Sequence, residues 1–251
     1  MRNVNPYTVL ASGYDFIMSH VDYPGWAAYV DELIRRFHHL NERPIQLLEL
    51  GCGTGNFGFE FAHYPDYHYR GLDGSASMIK VAGHKAEQWG EDLEFAVCDS
   101  LSFDEDETND VVLLLYDGLN YLLEPSAIAD VLGRVYRSLR PGGLFLFDQS
   151  TPANSENNRD YFEDRGAHEL FSYVRQSEYD AETRLHRTHF ELSVGPDTFA
   201  EDHTQRAYAI SEIATLVEAS QFEEVDCFEG FSTIGATEAS ERVQWILRRP
   251  M

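Results

Sequence analysis

Three glycines alternate in the run GCGTG (51–55), directly after the apolar stretch Ile45–Leu50. Glycine adopts positive φ without penalty and offers bare backbone, so such a turn lets a ligand lie against the main chain. A dinucleotide fingerprint GxGxxG would need its third glycine at position 56, which is Asn56. The spacing is GxGxG, and a nicotinamide-dependent dehydrogenase is disfavoured on that ground. A second set of chemically able residues is EDHTQRAY (201–208). On a strand, Glu201, His203 and Gln205 would share one face, with Asp202, Thr204 and Arg206 on the other. His203 could then act as a general base, and Arg206 could hold a substrate carboxylate or a structural acid. His20 is a spare candidate base. His186 and His189 lie three apart on another expected strand, so they face opposite ways and make a poor metal pair. Cys52, Cys98 and Cys227 lack CxxC spacing and sit in apolar surroundings, which suits buried thiols better than zinc or disulfides. No metal site is expected.

The elements that would position these groups alternate. Ala27, Ala28, Val30, Leu33, Ile34 and Phe37 recur at threes and fours, an amphipathic helical stripe that makes the first forty residues look helical and that Asn41 to Pro44 should break. Strands are expected at Ile45–Leu50, Tyr67–Leu72, Leu93–Cys98, Val111–Tyr116 and Leu144–Asp148. Helices should fill the gaps over 56–63, 75–89 and 126–139, the last capped by Ser126 and stopped by Pro141-Gly142-Gly143. The rhythm then changes. Phe171–Tyr179, Arg184–Val194 and Thr198–Tyr208 alternate polar and apolar residues as half-exposed antiparallel strands do, with a turn at Gly195-Pro196-Asp197. A helix over 211–220 and strands over 225–231 and 242–248 close the chain. The acidic run FDEDETND (103–110) reads as a solvated loop.

The formal charge of −24, from 43 acidic and 19 basic residues, argues against nucleic acid as a partner, because that binding depends on Lys and Arg neutralising phosphates. Only two of the basic residues, Lys80 and Lys85, are lysines, a composition suited to solubility in concentrated salt. No apolar window is long enough to span a bilayer. The first residues, MRNVNPYTVLASGYDF, show neither a signal nor a transit pattern, so a cytoplasmic address is expected.

The ordered runs ELGCGTG, GLDGSASMI (71–79), AVCDSLSF (96–103), DVVLLLYDGLNYL (110–122) and LRPGGLFLFD (139–148) resemble the class I S-adenosylmethionine-dependent methyltransferases. The resemblance implies an α/β, Rossmann-like three-layer sandwich with a seven-stranded, mostly parallel sheet whose last strand is antiparallel. It implies S-adenosylmethionine as the cofactor, S-adenosylhomocysteine as its product, and binding at the carboxyl ends of the strands. By that likeness Gly51, Gly53 and Gly55, with Cys52, line the methionine and ribose portion, and Glu49 sits near the amino group. Asp73, followed by Gly74, accepts both ribose hydroxyls. Met78 lies on the adenine face, while Asp99, flanked by Cys98 and Ser100, accepts the adenine amine. Tyr116, Asp117 and Asn120 follow the fourth strand near the reacting methyl. The Asn/Asp-Pro-Pro-aromatic motif of adenine-type methyltransferases is missing there. GYDFIMSHVDYPGWAAYV (13–30) resembles the lid of small-molecule enzymes, with Tyr14 at the carboxylate or methyl end and Trp26 over the cofactor.

The expected organisation is a single domain over 1–251. It comprises a helical lid (1–40), a cofactor core (45–150), an antiparallel β cover for the substrate (151–207), and a C-terminal part (208–251) completing the sheet. The expected reaction is methyl transfer to nitrogen, or oxygen, of a small-molecule acceptor by a monomer or homodimer, with no membrane partner. The alternatives are a methyltransferase acting on protein or tRNA and a non-catalytic S-adenosylmethionine-binding protein.

Overall fold

The computed structural model describes residues 1–38 and 44–251, with Asp160 described by its backbone alone. In chain order the strands are β1 (Arg2–Asn3), β2 (Ile45–Leu50), β3 (Tyr67–Asp73), β4 (Glu94–Val97), β5 (Asn109–Leu114), β6 (Leu139–Ser150), β7 (Glu163–His168), β8 (Phe171–Asp180), β9 (Leu185–Val194), β10 (Asp197–Arg206), β11 (Glu223–Glu229) and β12 (Arg242–Arg248). The α-helices are α1 (Tyr14–Ile17), α2 (Tyr23–Phe37), α3 (Asn56–Phe61), α4 (Ala76–Trp89), α5 (Pro125–Ser138), α6 (Pro152–Asn157) and α7 (Ile210–Glu218).

Seven strands form the main sheet in the order β11-β12-β6-β5-β2-β3-β4, and β12 runs antiparallel to both neighbours. The period of two along β5 divides the core. Val112 and Leu114 face α5 and α7, against Val131, Val135, Ile213 and Val217, while Val111 and Leu113 face α2 and α3, against Trp26, Leu33, Phe57 and Phe61. The sheet is thus covered on both faces, which is why its strands read as unbroken apolar runs. Strand order reverses between β2 and β5, and the crevice opens there, at the carboxyl ends of the strands.

Helix ends follow local chemistry. Asp22 caps α2 by accepting the Gly25 N–H at 3.0 Å, and Ser75 caps α4 by accepting that of Met78 at 3.3 Å. Glu212 reaches back to the Ala209 N–H at 2.8 Å to start α7. Gly55 precedes α3 at φ 79°, where an added Cβ would lie 2.6 Å from the Phe95 ring. Gly55→Ala should therefore cost about 2–4 kcal/mol, strain and overpacking together, read as a lower urea midpoint at unchanged m.

The second sheet has the order β1-β10-β9-β8-β7. Its inner face carries Phe171, Tyr173, Phe190 and Leu192, which pack with Leu10 of the N-terminal segment as a small core of their own. Several expectations shift. The first nine residues are not helical: β1 pairs in parallel with β10, because Arg2 and Asn3 meet Phe199 and Ala200 in register. β7, EDRGAH, had no alternating pattern to betray it, since it is an edge strand exposed along nearly its whole length. α6 also went unforeseen. β6 begins at Leu139, so the Pro-Gly-Gly run lies within it, with a register irregularity opposite Asn109 and Val111. Of the helix breaker expected at 41–44, residues 41–43 lie outside the described residues. The acidic loop is less solvated than expected, for Glu105 pairs with Arg70 at 2.7 Å and Glu107 with Arg249 at 2.6 Å. No described helix is long and apolar enough to cross a membrane.

Candidate active site

The glycine turn leaves β2 through Gly51 (φ 68°) and Gly53 (φ 57°). A Cβ at Gly51 would meet only Leu114 at 3.7 Å, and one at Gly53 only Tyr14 at 3.9 Å, so both positions present backbone to open space. That space is a cavity of about 330 Å³ lined by Gly51, Gly53, Asp73, Gly74, Met78, Cys98, Asp99, Ser100 and Tyr116, together with Tyr7, Tyr14 and Tyr121.

Asp73 ends β3 with its carboxylate in this cavity. Oδ2 accepts the Gly53 N–H at 2.9 Å and Oδ1 the Ser75 N–H at 2.7 Å, which leaves each oxygen a further lone pair. Burial raises its pKa against these two bonds, and the nearby Asp99 adds to the rise. The carboxylate is thus fixed in orientation and short of partners, an arrangement suited to a pair of hydroxyls. Asp99 spends Oδ1 on the Leu101 N–H at 2.8 Å. Met78 is buried on α4.

Beside the turn a narrower pocket is lined by Tyr14, Trp26, Glu49, Cys52 and Tyr116, among others. Glu49 is buried and accepts the Tyr69 hydroxyl. Desolvation pushes its pKa up to about 7, partly offset by that bond. Above its folded pKa it is a carboxylate suited to an ammonium; below, it is neutral. Affinity for an amino-bearing ligand should accordingly fall as pH drops through 7. The apoprotein obeys the opposite sign. A carboxyl whose folded pKa exceeds its unfolded value stabilises at low pH and loses that contribution as pH rises from about 4.5 to about 7. Glu49→Gln should flatten both curves, removing on the order of 3 kcal/mol of pH-dependent stability in thermal melts.

Asn56 stands where a dinucleotide-binding turn would have glycine. Its amide accepts from Lys85 and donates to Asp15 at 2.9 Å, and Asp15 also accepts from Thr54 at 2.5 Å and Lys85 at 2.8 Å. This network ties the turn to α1 and α4. Trp26 packs on the far side of the turn, its ring 5.5 Å from that of Tyr116 and 6.2 Å from that of Phe57.

After β5 the chain passes through two consecutive non-glycine residues at positive φ, Tyr116 (57°) and Asp117 (62°). Such strain persists only when surroundings over-determine it. Here Arg242, from β12, pairs with Asp117 at 2.8 Å and with Asp148 of β6. Asp148 is almost fully buried, and desolvation raises its pKa against the pull of Arg242. Asn120 lies beyond the turn, away from the cofactor-sized cavity. Its Nδ2 donates to Ser150 O at 2.9 Å and Arg206 O at 2.7 Å, while its Oδ1 accepts the Ser150 N–H at 3.0 Å.

A second cavity, of about 450 Å³, adjoins the first and shares Tyr7, Tyr14, Tyr116 and Tyr121 with it. Its other walls include Asp117, Asp164, Arg175, His203, Gln205 and His20. Buried His203 projects from β10 onto the tyrosines; Arg206 lines an adjoining polar recess instead, its guanidinium on Leu123 O at 3.3 Å and near Glu212 at 3.8 Å. His186 faces that recess, whereas His189 points to Asp202 on the other face of the sheet, as their spacing required. Tyr7, Tyr121 and Glu201 had no cofactor or catalytic assignment from sequence. Nothing local marks Tyr7 or Tyr121, since their significance lies in what distant segments bring to them.

The cradle of bare backbone, the half-satisfied Asp73 carboxylate and the Glu49 carboxyl fit an amino-bearing nucleoside such as S-adenosylmethionine. Comparison with known proteins agrees. Residues 47–143 match the methyltransferase domain family. A Geobacillus sp. (strain WCH70) protein designated a methyltransferase is 27% identical over 253 residues, covering 97% of this chain and 99% of the relative. An S-adenosylmethionine-dependent methyltransferase from Clostridium acetobutylicum superposes with TM-score 0.79 at 21% identity, covering 98% of this chain and 99% of that one. The S-adenosylmethionine-bound amino pentose methyltransferase of Micromonospora echinaspora does so with TM-score 0.69 at 20% identity, covering 95% and 96%.

Proposed function

Because the chain belongs to the class I S-adenosylmethionine-dependent methyltransferases, we propose that it methylates a nitrogen of a small-molecule amine. The observation that carries this reading is the second cavity, which meets the cofactor cavity along a border of four tyrosines beneath the five-stranded sheet. A pocket of this size, under such a cover, suits a small acceptor. The strong net negative charge disfavours nucleic acid. The amino pentose acted on by one structural neighbour is an acceptor of the kind proposed.

Bound S-adenosylmethionine supplies a methyl group made electrophilic by its sulfonium. The chain has then to hold, orient and dry the site. Gly51 and Gly53 give backbone to the ligand, Asp73 takes the ribose hydroxyls, Glu49 faces the amino group, and Asp99 with Met78 borders the adenine. Tyr14 and Tyr116 offer aromatic faces to the cationic end, where such contacts contribute about 0.5–2 kcal/mol. For an acceptor that arrives as an ammonium, His203 supplies the basicity that frees the lone pair. The test is S-adenosylhomocysteine release across a panel of primary and secondary amines and matched alcohols. Turnover of amines alone supports the reading, and turnover of alcohols alone overturns it.

A further inference from the structure

Both ring nitrogens of His203 are engaged. Nε2 lies 3.3 Å from Glu201 Oε2, and Nδ1 lies 3.2 Å from the Tyr121 hydroxyl. The Tyr121 hydroxyl in turn bonds that of Tyr7. The direction of this chain of bonds follows from Glu201, which is fully buried on β10. Its Oε1 accepts the N–H groups of Val9 at 2.6 Å and Leu10 at 3.0 Å, and its Oε2 accepts that of Tyr7 at 2.7 Å. With so many donors aimed at it, Glu201 acts as an ionised acceptor. Burial works against the charge, but His203 and the Val9 and Leu10 N–H groups outweigh it and hold the carboxyl below its ordinary value. A neutral His203 then donates from Nε2, which leaves Nδ1 as the acceptor. Tyr121 donates to Nδ1, and Tyr7 donates to Tyr121. The lone pairs of the Tyr7 oxygen are left as the open end.

Tyr7 and Tyr121 are both walls of the cofactor cavity and of the acceptor cavity. We propose that Tyr7 is the catalytic residue that touches the acceptor nitrogen, and that Tyr121, His203 and Glu201 form a one-way relay drawing the acceptor's proton from it. The proposal rests on the amine reading and deepens it. The acceptor ammonium gives its N–H proton to the Tyr7 oxygen as the Tyr7 proton moves to Tyr121 and the Tyr121 proton to His203 Nδ1. Each phenol gains one proton and loses one, so no tyrosinate forms, in keeping with phenols whose pKa values burial drives upward. The charge comes to rest as an imidazolium against Glu201. The freed nitrogen lone pair forms the new N–CH₃ bond as the S–CH₃ bond breaks, giving an ammonium product and a neutral thioether. His203 returns its proton to solvent after product leaves.

Glu201 is a positioning residue with two duties, for the carboxylate that sets the histidine tautomer also docks residues 7–10 over the site. The titratable groups that face His203 are Glu201 from its own strand, Tyr121 from the turn after β5 and Tyr7 from the N-terminal segment. Asp117 and Asp73 act on Tyr121 from further off.

The test reads nitrogen-15 shifts of the His203 ring in the wild-type protein, in Tyr121→Phe and Tyr7→Phe, and in Glu201→Gln. The expected result is a neutral ring protonated at Nε2, an Nδ1 shift that moves in both tyrosine variants, and a change of tautomer in Glu201→Gln. A wild-type ring protonated at Nδ1, or an Nδ1 signal indifferent to loss of the Tyr121 hydroxyl, overturns the relay. On an amine that turns over, Tyr7→Phe should lower kcat at least 30-fold and shift its acidic limb, with KM changed less than threefold. An unchanged kcat also overturns it. If no amine releases S-adenosylhomocysteine, the nitrogen reading fails, and the ring shifts still decide the relay.

Discussion

Asp73→Ala is expected to raise the Kd for S-adenosylmethionine by roughly 30- to 1,000-fold, about 2–4 kcal/mol. The expectation follows from two losses in one substitution. The ribose hydroxyls would lose a charged acceptor, and the Gly53 and Ser75 N–H groups would lose the oxygens that hold the glycine turn against the start of α4. Hydrogen bonds to a charged group contribute more than neutral ones, because the acceptor is already desolvated and aligned. Asp73→Asn keeps one acceptor oxygen and should fall between the two. Calorimetric titration of each variant decides the matter, with circular dichroism to certify folding. A folded Asp73→Ala protein that binds within threefold of the wild type would remove Asp73 from the site.

Arg242→Ala should be the most destabilising single change at the site, costing about 3–5 kcal/mol in denaturant unfolding. It would strand two carboxylates, Asp117 and Asp148, the second almost fully buried. It would also release the restraint on the positive-φ pair Tyr116 and Asp117, of which Tyr116 forms part of the border between the two cavities. Activity should therefore fall further than stability alone requires. The double variant Arg242→Met with Asp148→Leu separates the effects. If the cost comes from unpaired buried charge, the double variant recovers much of the stability while activity stays low. A single variant as stable as the wild type would mean that the triad does not brace the turn.

The main sheet was largely legible because its signals are local. Six-residue apolar runs and glycines after β2 each declare themselves within a few positions, whereas the cap expected at Ser126 is absent, because α5 already starts at Pro125 after Glu124 with no side-chain cap. The lining of the cavity proposed for the cofactor was legible for the same reason, since Gly51, Gly53, Asp73 and Asp99 all lie at the carboxyl ends of consecutive strands. β7 was hidden because an exposed edge strand needs no alternation, and β1 because two residues cannot carry a pattern. His203 and Glu201 were placed on one face by the period of two, which β10 obeys. Their partners were out of reach of that rule.

What the amino-acid order determined by itself is the backbone plan of the main sheet: most of its strands and helices, and the glycine turn where a ligand can lie against bare main chain. Only the tertiary structure decided which side chains meet. Tyr121 and His203 are 82 residues apart, and Arg242 and Asp117 are 125. Local propensity acts over a few residues, whereas these contacts depend on strand order and register, which no single segment encodes.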